Sequence, residues 1–217
     1  MMKNLTLRNI ASACGGKYVG AESGLDLCVE GITTDSRQVP EGGLFVAIPG
    51  ERVDGHDYIP KAEAAGAAAV LSEKELPDAK VPYIRVKSSL QAVKDLAEFY
   101  LAGLKIPVVG IAGSVGKTST KEMVASVLSQ KYRVLKTEGN FNNELGLPLT
   151  IFRLREEHEI AVLEMGISDF GEMHRLSKIA RPQTCILTNI GWCHLENLKT
   201  RDGILKAKSE IFDYIRP

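Results

Sequence analysis

No apolar run in this 217-residue chain approaches the roughly 20 residues that a membrane span needs. Surplus charge is missing as well. Lys plus Arg and Asp plus Glu each number 27, so the formal net charge is zero. That balance argues against a broad nucleic-acid footprint and against a membrane-surface patch. Paired cysteine spacing is absent. Cys14, Cys28, Cys185 and Cys193 stand singly, which fits a reducing, cytoplasmic setting. Near the N-terminus Lys3 and Arg8 are present and Cys14 follows Ala11-Ser12-Ala13, but Asn4, Arg8 and Asn9 stand where an export signal would be apolar. Residues 1–16 read instead as an amphipathic helix. The chain also lacks internal repeats and low-complexity tracts. Its 25% charged and 44% hydrophobic residues are those of an ordinary globular protein, long enough for one large domain or two small ones.

Two regions differ in texture. Residues 1–103 carry short strands, at 29–34, 44–48, 67–71 and 83–86, punctuated by Gly42-Gly43 and Pro49-Gly50. Helices are predicted over 58–65 and 89–102. Leu90, Val93, Leu96, Ala97 and Tyr100 recur at helical spacing in the second, and Gly103 reads as its stop. Residues 104–217 alternate strand and helix, with strands at 108–112, 133–136, 160–164 and 184–188 and helices at 118–130, 172–180 and 201–214. Such alternation predicts a parallel sheet covered by helices. The fold class is therefore α/β: a small mixed domain followed by a parallel-sheet domain. No strand follows the last helix, so either the sheet is small or the chain is a piece of a longer protein.

The most informative stretch is Gly113-Ser114-Val115-Gly116-Lys117-Thr118-Ser119, between a buried strand and a helix that places Met123, Val124, Val127 and Leu128 on one face. A glycine loop at a helix N-terminus aims backbone N–H groups and a positive dipole end at one point. A lysine and a hydroxyl added there suit a phosphate chain with its magnesium. The loop is the short G-x-x-G-K-T form. Ile111 stands where the longer pattern has its first glycine.

Ligands collect at strand ends in open α/β sheets. Glu164 ends the apolar run before Met165-Gly166, and a phosphate-loop enzyme needs a carboxylate there to hold magnesium. It is equally the place for a solvated glutamate. His194, after Gly191, is either a metal ligand or a plain loop histidine. The amides Asn140, Asn142 and Asn143 either bind a ligand or form Asx turns. Thr34-Asp35-Ser36-Arg37 ends a strand and either binds a polar ligand or caps a turn. Asp54-Gly55-His56-Asp57 opens a helix, where capping is the default. Lys206 and Lys208 lie on the last helix and read as solvated lysines.

Together these stretches resemble the Mur ligases of bacterial cell-wall synthesis. The likeness is carried in family order by residues 34–37, 44–48, 54–56, 113–123, 139–150, 163–168, 188–191, 194–196 and 207–212. The runs Asn142-Asn143-Glu144-Leu145-Gly146-Leu147-Pro148-Leu149-Thr150 and Glu164-Met165-Gly166-Ile167-Ser168 point to the branch that adds D-alanyl-D-alanine. The resemblance implies a domain at 1–103 that binds the UDP end of the substrate. It implies a partial ATP-binding central domain at 104–217, with a third, closing domain missing and the piece inactive by itself. It implies ATP and magnesium as cofactors, and UDP-N-acetylmuramoyl-tripeptide and D-alanyl-D-alanine as substrates of a cytoplasmic monomer. Gly113 to Ser119 and Asn140 would bind ATP, with Lys117 on the transferring phosphate. Thr118 and Glu164 would hold one magnesium. His194 and Lys208 would help hold a second, Lys208 aligning with the lysine that this family carbamylates. Ser36 and Arg37 would sit near the uridine diphosphate, and Asn142 and Asn143 would line the substrate cleft. Another amide ligase of the superfamily and a non-catalytic nucleotide-sugar binding module are the alternatives.

Overall fold

The computed structural model describes residues 2–216. Met1, at the outer end of the first helical reading, and Pro217 lie outside the described residues. The chain divides into two compact units, Met1–Gly103 and Leu104–Pro217.

In the first unit, α1 is Leu7–Ala13, shorter than the helix read over 1–16. Thr6 starts it, its hydroxyl accepting the Asn9 N–H at 3.2 Å. Then come β1 (Lys17–Val19), β2 (Ile32–Thr33), β3 (Leu44–Val46), a 3-10 turn at Gly55–Tyr58, α2 (Ile59–Ala64), β4 (Ala69–Ser72), β5 (Tyr83–Arg85) and α3 (Ser89–Leu104). The strand order is β1-β5-β4-β3-β2, parallel except for β1 against β5. Phe45, Ala47, Ile59, Ala62, Ala67, Val70 and Tyr83 form a buried cluster against α2.

Three readings change here. β1 escaped the sequence reading because it is a three-residue edge strand without an apolar run. The strand read over 29–34 shrinks to two residues, since the N–H groups of Val29 and Glu30 bond Leu5 and Gly42 instead. Gly103 is not a stop. α3 runs through it to Leu104, and the left-handed turn falls on Lys105 at φ 55°.

The second unit holds β6 (Val108–Ala112), α4 (Lys117–Leu128), β7 (Val134–Lys136), α5 (Gly146–Ile151), β8 (Ile160–Glu164), α6 (Glu172–Ala180), β9 (Thr184–Leu187), α7 (Leu195–Leu198) and α8 (Arg201–Ser209), which passes into a 3-10 turn at Glu210–Phe212. Its sheet is all parallel, in the order β7-β8-β6-β9. Val109, Ile111, Ala125, Ile160 and Val162 form a core that Val124 and Leu128 of α4 join. The apolar face expected of α4 is therefore half wrong. Met123 and Val127 are exposed, and the helix buries Lys121 and Ala125 instead. The buried lysine lies on the face turned to the sheet, where the Glu164 carboxylate stands. The short helices α5 and α7 were not predicted. α5 carries Gly146 and Pro148, a poor helical signature.

Candidate functional site

Because β6, β8 and β9 run parallel, their C-terminal ends emerge together. Ile111 lies beside Glu164, and Ala112 beside Leu187. The loop after β6 turns through two left-handed glycines, Gly113 at φ 145° and Gly116 at φ 83°. Gly116 is also the N-cap of α4. The chain after β9 braces this loop. The Ser114 N–H donates to the Asn189 carbonyl at 3.1 Å, and the Val115 N–H to Asn189 Oδ1 at 3.0 Å. Thr188 Oγ1 donates to the Val115 carbonyl at 2.6 Å, and the Gly191 N–H to Ser114 Oγ at 3.0 Å. The N–H groups of Ser114 and Val115 are thus engaged by Asn189. Helix geometry leaves the first N–H groups of α4 without an intrahelical acceptor, a place where an anion is favoured.

Gly113 has no room for a side chain. A Cβ there would stand 1.9 Å from Thr188 Oγ1. Gly113→Ala is expected to displace Thr188, loosen the loop and cost about 1–3 kcal/mol through backbone strain alone. Thermal unfolding and ADP titration of the variant check this, and a wild-type melting temperature with wild-type ADP affinity refutes it.

Lys117 Nζ donates to the Gly113 carbonyl at 3.0 Å, so the lysine is folded over its own loop. Thr118 Oγ1 donates to Glu164 Oε2 at 3.0 Å, and Asn142 Nδ2 to Glu164 Oε1 at 2.9 Å. Glu164 is 2% exposed, and its own N–H donates to Thr137 Oγ1 at 3.0 Å. It is not a solvated strand end. Asn142 is fixed in turn, its carbonyl accepting the Gly166 N–H at 2.7 Å. Asn143 follows the Asx-turn alternative. Its Oδ1 accepts the N–H groups of Leu145 and Gly146 at 3.2 and 2.8 Å, at the start of α5. Asn140 is exposed, and its carbonyl accepts the Asn142 N–H at 2.7 Å. Ser119 is exposed on the first turn of α4.

The expected metal set comes together only in part. Thr118 and Glu164 meet. His194 is exposed and left-handed at φ 51°, and its carbonyl opens α7. Among the described residues no three His, Cys, Asp or Glu side chains converge on one point. Lys208 overturns its surface-lysine reading, being 1% exposed, whereas Lys206 is exposed. Burial pushes the Lys208 amine below its ordinary pKa. The Cys193 thiol opposes this, and the positive Lys117 adds to it.

In the first unit, Ser36, Arg37, Phe45, Tyr58 and Lys61 help line a cavity of about 420 Å³. Arg37 forks onto Asp35, Nε to Oδ1 at 2.9 Å and Nη2 to Oδ2 at 2.8 Å. Those hydrogen bonds hold the Asp35 carboxyl well below the usual carboxylate range. Asp54 accepts the His56 N–H at 2.9 Å, a capping bond, and Lys74 Nζ at 2.7 Å. His56 Nε2 accepts the Glu73 N–H at 3.1 Å, so the ring proton sits on Nδ1, 2.5 Å from Asp54 Oδ1. The sequence reading missed Tyr58, Lys61, Lys121 and Asn189. For the last, its place directly after β9 was an available signal.

The comparisons agree with this geometry. Residues 29–101 match the model described as Mur ligase family, catalytic domain, and residues 111–217 match the Mur ligase middle domain. The UDP-N-acetylmuramoyl-tripeptide--D-alanyl-D-alanine ligase of Bacillus subtilis is 42% identical over 97% of this chain and 46% of its own length. A crystal structure of MurF from Acinetobacter baumannii superposes with a TM-score of 0.88 at 35% identity, over 98% of this chain and 47% of that one. MurF from Thermotoga maritima, in complex with ADP, superposes at 0.80 with 40% identity, over 88% and 44%. The chain spans about half the length of the curated relatives it matches.

Proposed function

The chain belongs to the Mur ligase family, and from that premise we propose that its second unit binds ATP in a ligase that joins D-alanyl-D-alanine to UDP-N-acetylmuramoyl-tripeptide in peptidoglycan synthesis. The names of its relatives support the substrates. The observation that carries the chemistry is the buried Glu164 carboxylate hydrogen-bonded at 3.0 Å to the hydroxyl of Thr118, next to Lys117.

A hydroxyl and a carboxylate are hard oxygen donors, and they fit magnesium. Thr118 and Glu164 would hold that ion, and it would neutralise charge on the nucleotide phosphates. His194 and Lys208, the latter as a carbamate, would help hold a second. Lys117 swings from the Gly113 carbonyl to the transferring phosphoryl group. The first N–H groups of α4, with Ser119 and Asn140, hold the nucleotide. The terminal carboxylate of the tripeptide takes the phosphoryl group and ADP leaves. The amine of D-alanyl-D-alanine then attacks the acyl carbon, loses a proton and displaces phosphate. Asn142 keeps Glu164 aligned, and Asn143 shapes the cleft by fixing the turn that leads into α5. Ser36 and Arg37, with Tyr58 and Lys61 on the same cavity, hold the uridine diphosphate. The protein acts as a cytoplasmic monomer. Among the described residues no helix is long and apolar enough to cross a membrane.

The test uses the complete product of the gene that encodes this chain. Phosphate release should require ATP, the UDP-linked tripeptide and D-alanyl-D-alanine together, and mass spectrometry should find the pentapeptide product. Phosphate release indifferent to D-alanyl-D-alanine would sink the reading. Arg37→Ala should raise KM for the UDP substrate about tenfold or more with little change in kcat, as expected from losing a hydrogen bond to a charged group. A fall in kcat at constant KM would move Arg37 out of the substrate site.

A further inference from the structure

Lys121 lies one turn beyond Lys117 on α4 and is 1% exposed. Its neighbours Val124, Ala125 and Leu128 pack on Val109 and Ile111, so an apolar residue would be the ordinary choice at this position. A buried ammonium is costly unless it is paired. Its Nζ stands 3.2 Å from Glu122 Oε1 and 3.8 Å from Glu164 Oε2. Glu122 in turn pairs with Lys136 of β7. A line of alternating charge, Lys136–Glu122–Lys121–Glu164, thus leads inward from the protein surface. It ends on the carboxylate oxygen that accepts the Thr118 hydroxyl.

We propose that Lys121 is a positioning residue for the metal, aiming Glu164 Oε2 at the place where Thr118 also points. The inference rests on reading the second unit as a magnesium–nucleotide site. Asn142 holds Oε1, while Thr118 and Lys121 hold Oε2, so the carboxylate is oriented before a ligand arrives. A second cation so near the metal is repulsive in itself. Glu122 is closer to Lys121 than Glu164 is and offsets that charge. The remaining effect of Lys121 is orientation.

Calorimetric titration of ADP, once with magnesium and once with EDTA, separates this role from a structural one. The metal-free affinity depends on the N-terminus of α4 and Lys117. Lys121→Met keeps the length of the side chain and removes the charge. It should leave the metal-free affinity within about twofold and cut the magnesium-dependent gain about tenfold or more, as loss of a group that orients a metal ligand does. Lys121→Arg keeps the charge and should restore most of that gain. Glu122→Gln, on the exposed side of the line, leaves Lys121 unbalanced and drawn onto Glu164. It should cut the gain about threefold, and it decides the matter if Lys121→Met does not fold. Equal losses with and without magnesium, or an undiminished gain in Lys121→Met or Glu122→Gln, would overturn the proposal. A wild-type chain that binds ADP no better with magnesium overturns this inference while leaving the nucleotide reading in place, and one that binds no ADP under either condition sinks the nucleotide reading itself.

Discussion

Replacing Lys117 by alanine is expected to lower kcat of the complete ligase roughly 10²–10³-fold, about 2.7–4 kcal/mol, the cost of removing one preorganised donor from developing charge. KM for the UDP-linked substrate should stay within about twofold, because in the proposed reaction the lysine would meet charge that appears only on the transferring phosphoryl group. The structure gives this lysine a resting partner. Its amine donates to the Gly113 carbonyl at 3.0 Å, within the loop it serves. Alanine removes that contact too, so some loss of loop order adds to the effect. Steady-state kinetics with each substrate varied in turn measures it. Unchanged turnover would refute the phosphate role, and a rise in KM for the UDP substrate with constant kcat would assign Lys117 to ground-state binding.

Lys208→Ala is expected to cost roughly 100-fold in activity, the upper end of what removal of a group that serves a metal site costs. Formate or acetate should restore part of it by supplying the missing carboxylate oxygens. A carbamate forms when the neutral amine attacks carbon dioxide and loses a proton, so a lowered pKa helps it form. At Lys208 that lowering comes first from burial, with Cys193 opposing and the positive Lys117 adding. The sign for pH follows. As pH falls the amine takes up a proton and cannot form a carbamate, so activity in the absence of added bicarbonate should decline toward acid. Truncating this buried side chain leaves a cavity and should also lower the melting temperature, so rescue by the small carboxylate is the readout that separates lost chemistry from lost fold. Lys206→Ala, on the exposed side of α8, should behave as wild type. Equal mild effects at both lysines, or no rescue by a small carboxylate, would remove Lys208 from the site.

Much of the second unit was legible residue by residue. β6, β8 and α6 have the bounds read from the sequence, because two buried apolar runs and one amphipathic period are strong local signals. The turn between β6 and α4 was legible too, since Gly113, Gly116 and Lys117 act within it, whereas the Thr118 hydroxyl finds Glu164 far along the chain. Weak signals were lost. β1 is three residues at a sheet edge, and α5 holds a glycine and a proline. The helix face of α4 was misread because Met123 and Val127 are apolar and yet exposed.

The amides show the same limit within a single motif. Asn142 and Asn143 are adjacent and chemically identical, yet one holds the Glu164 carboxylate and the other closes an Asx turn before α5. Alternation of strand and helix, with glycine placed where the backbone turns left-handed, determined by sequence alone that a glycine loop would stand between a strand end and a helix N-terminus. Only tertiary structure decided that Lys121 and Lys208 are buried. On the sequence each is one more lysine on a helix. Residues far apart along the chain meet once the parallel strands align their ends, and a charge can remain inside only where that meeting supplies an opposite charge or a reaction that removes its own.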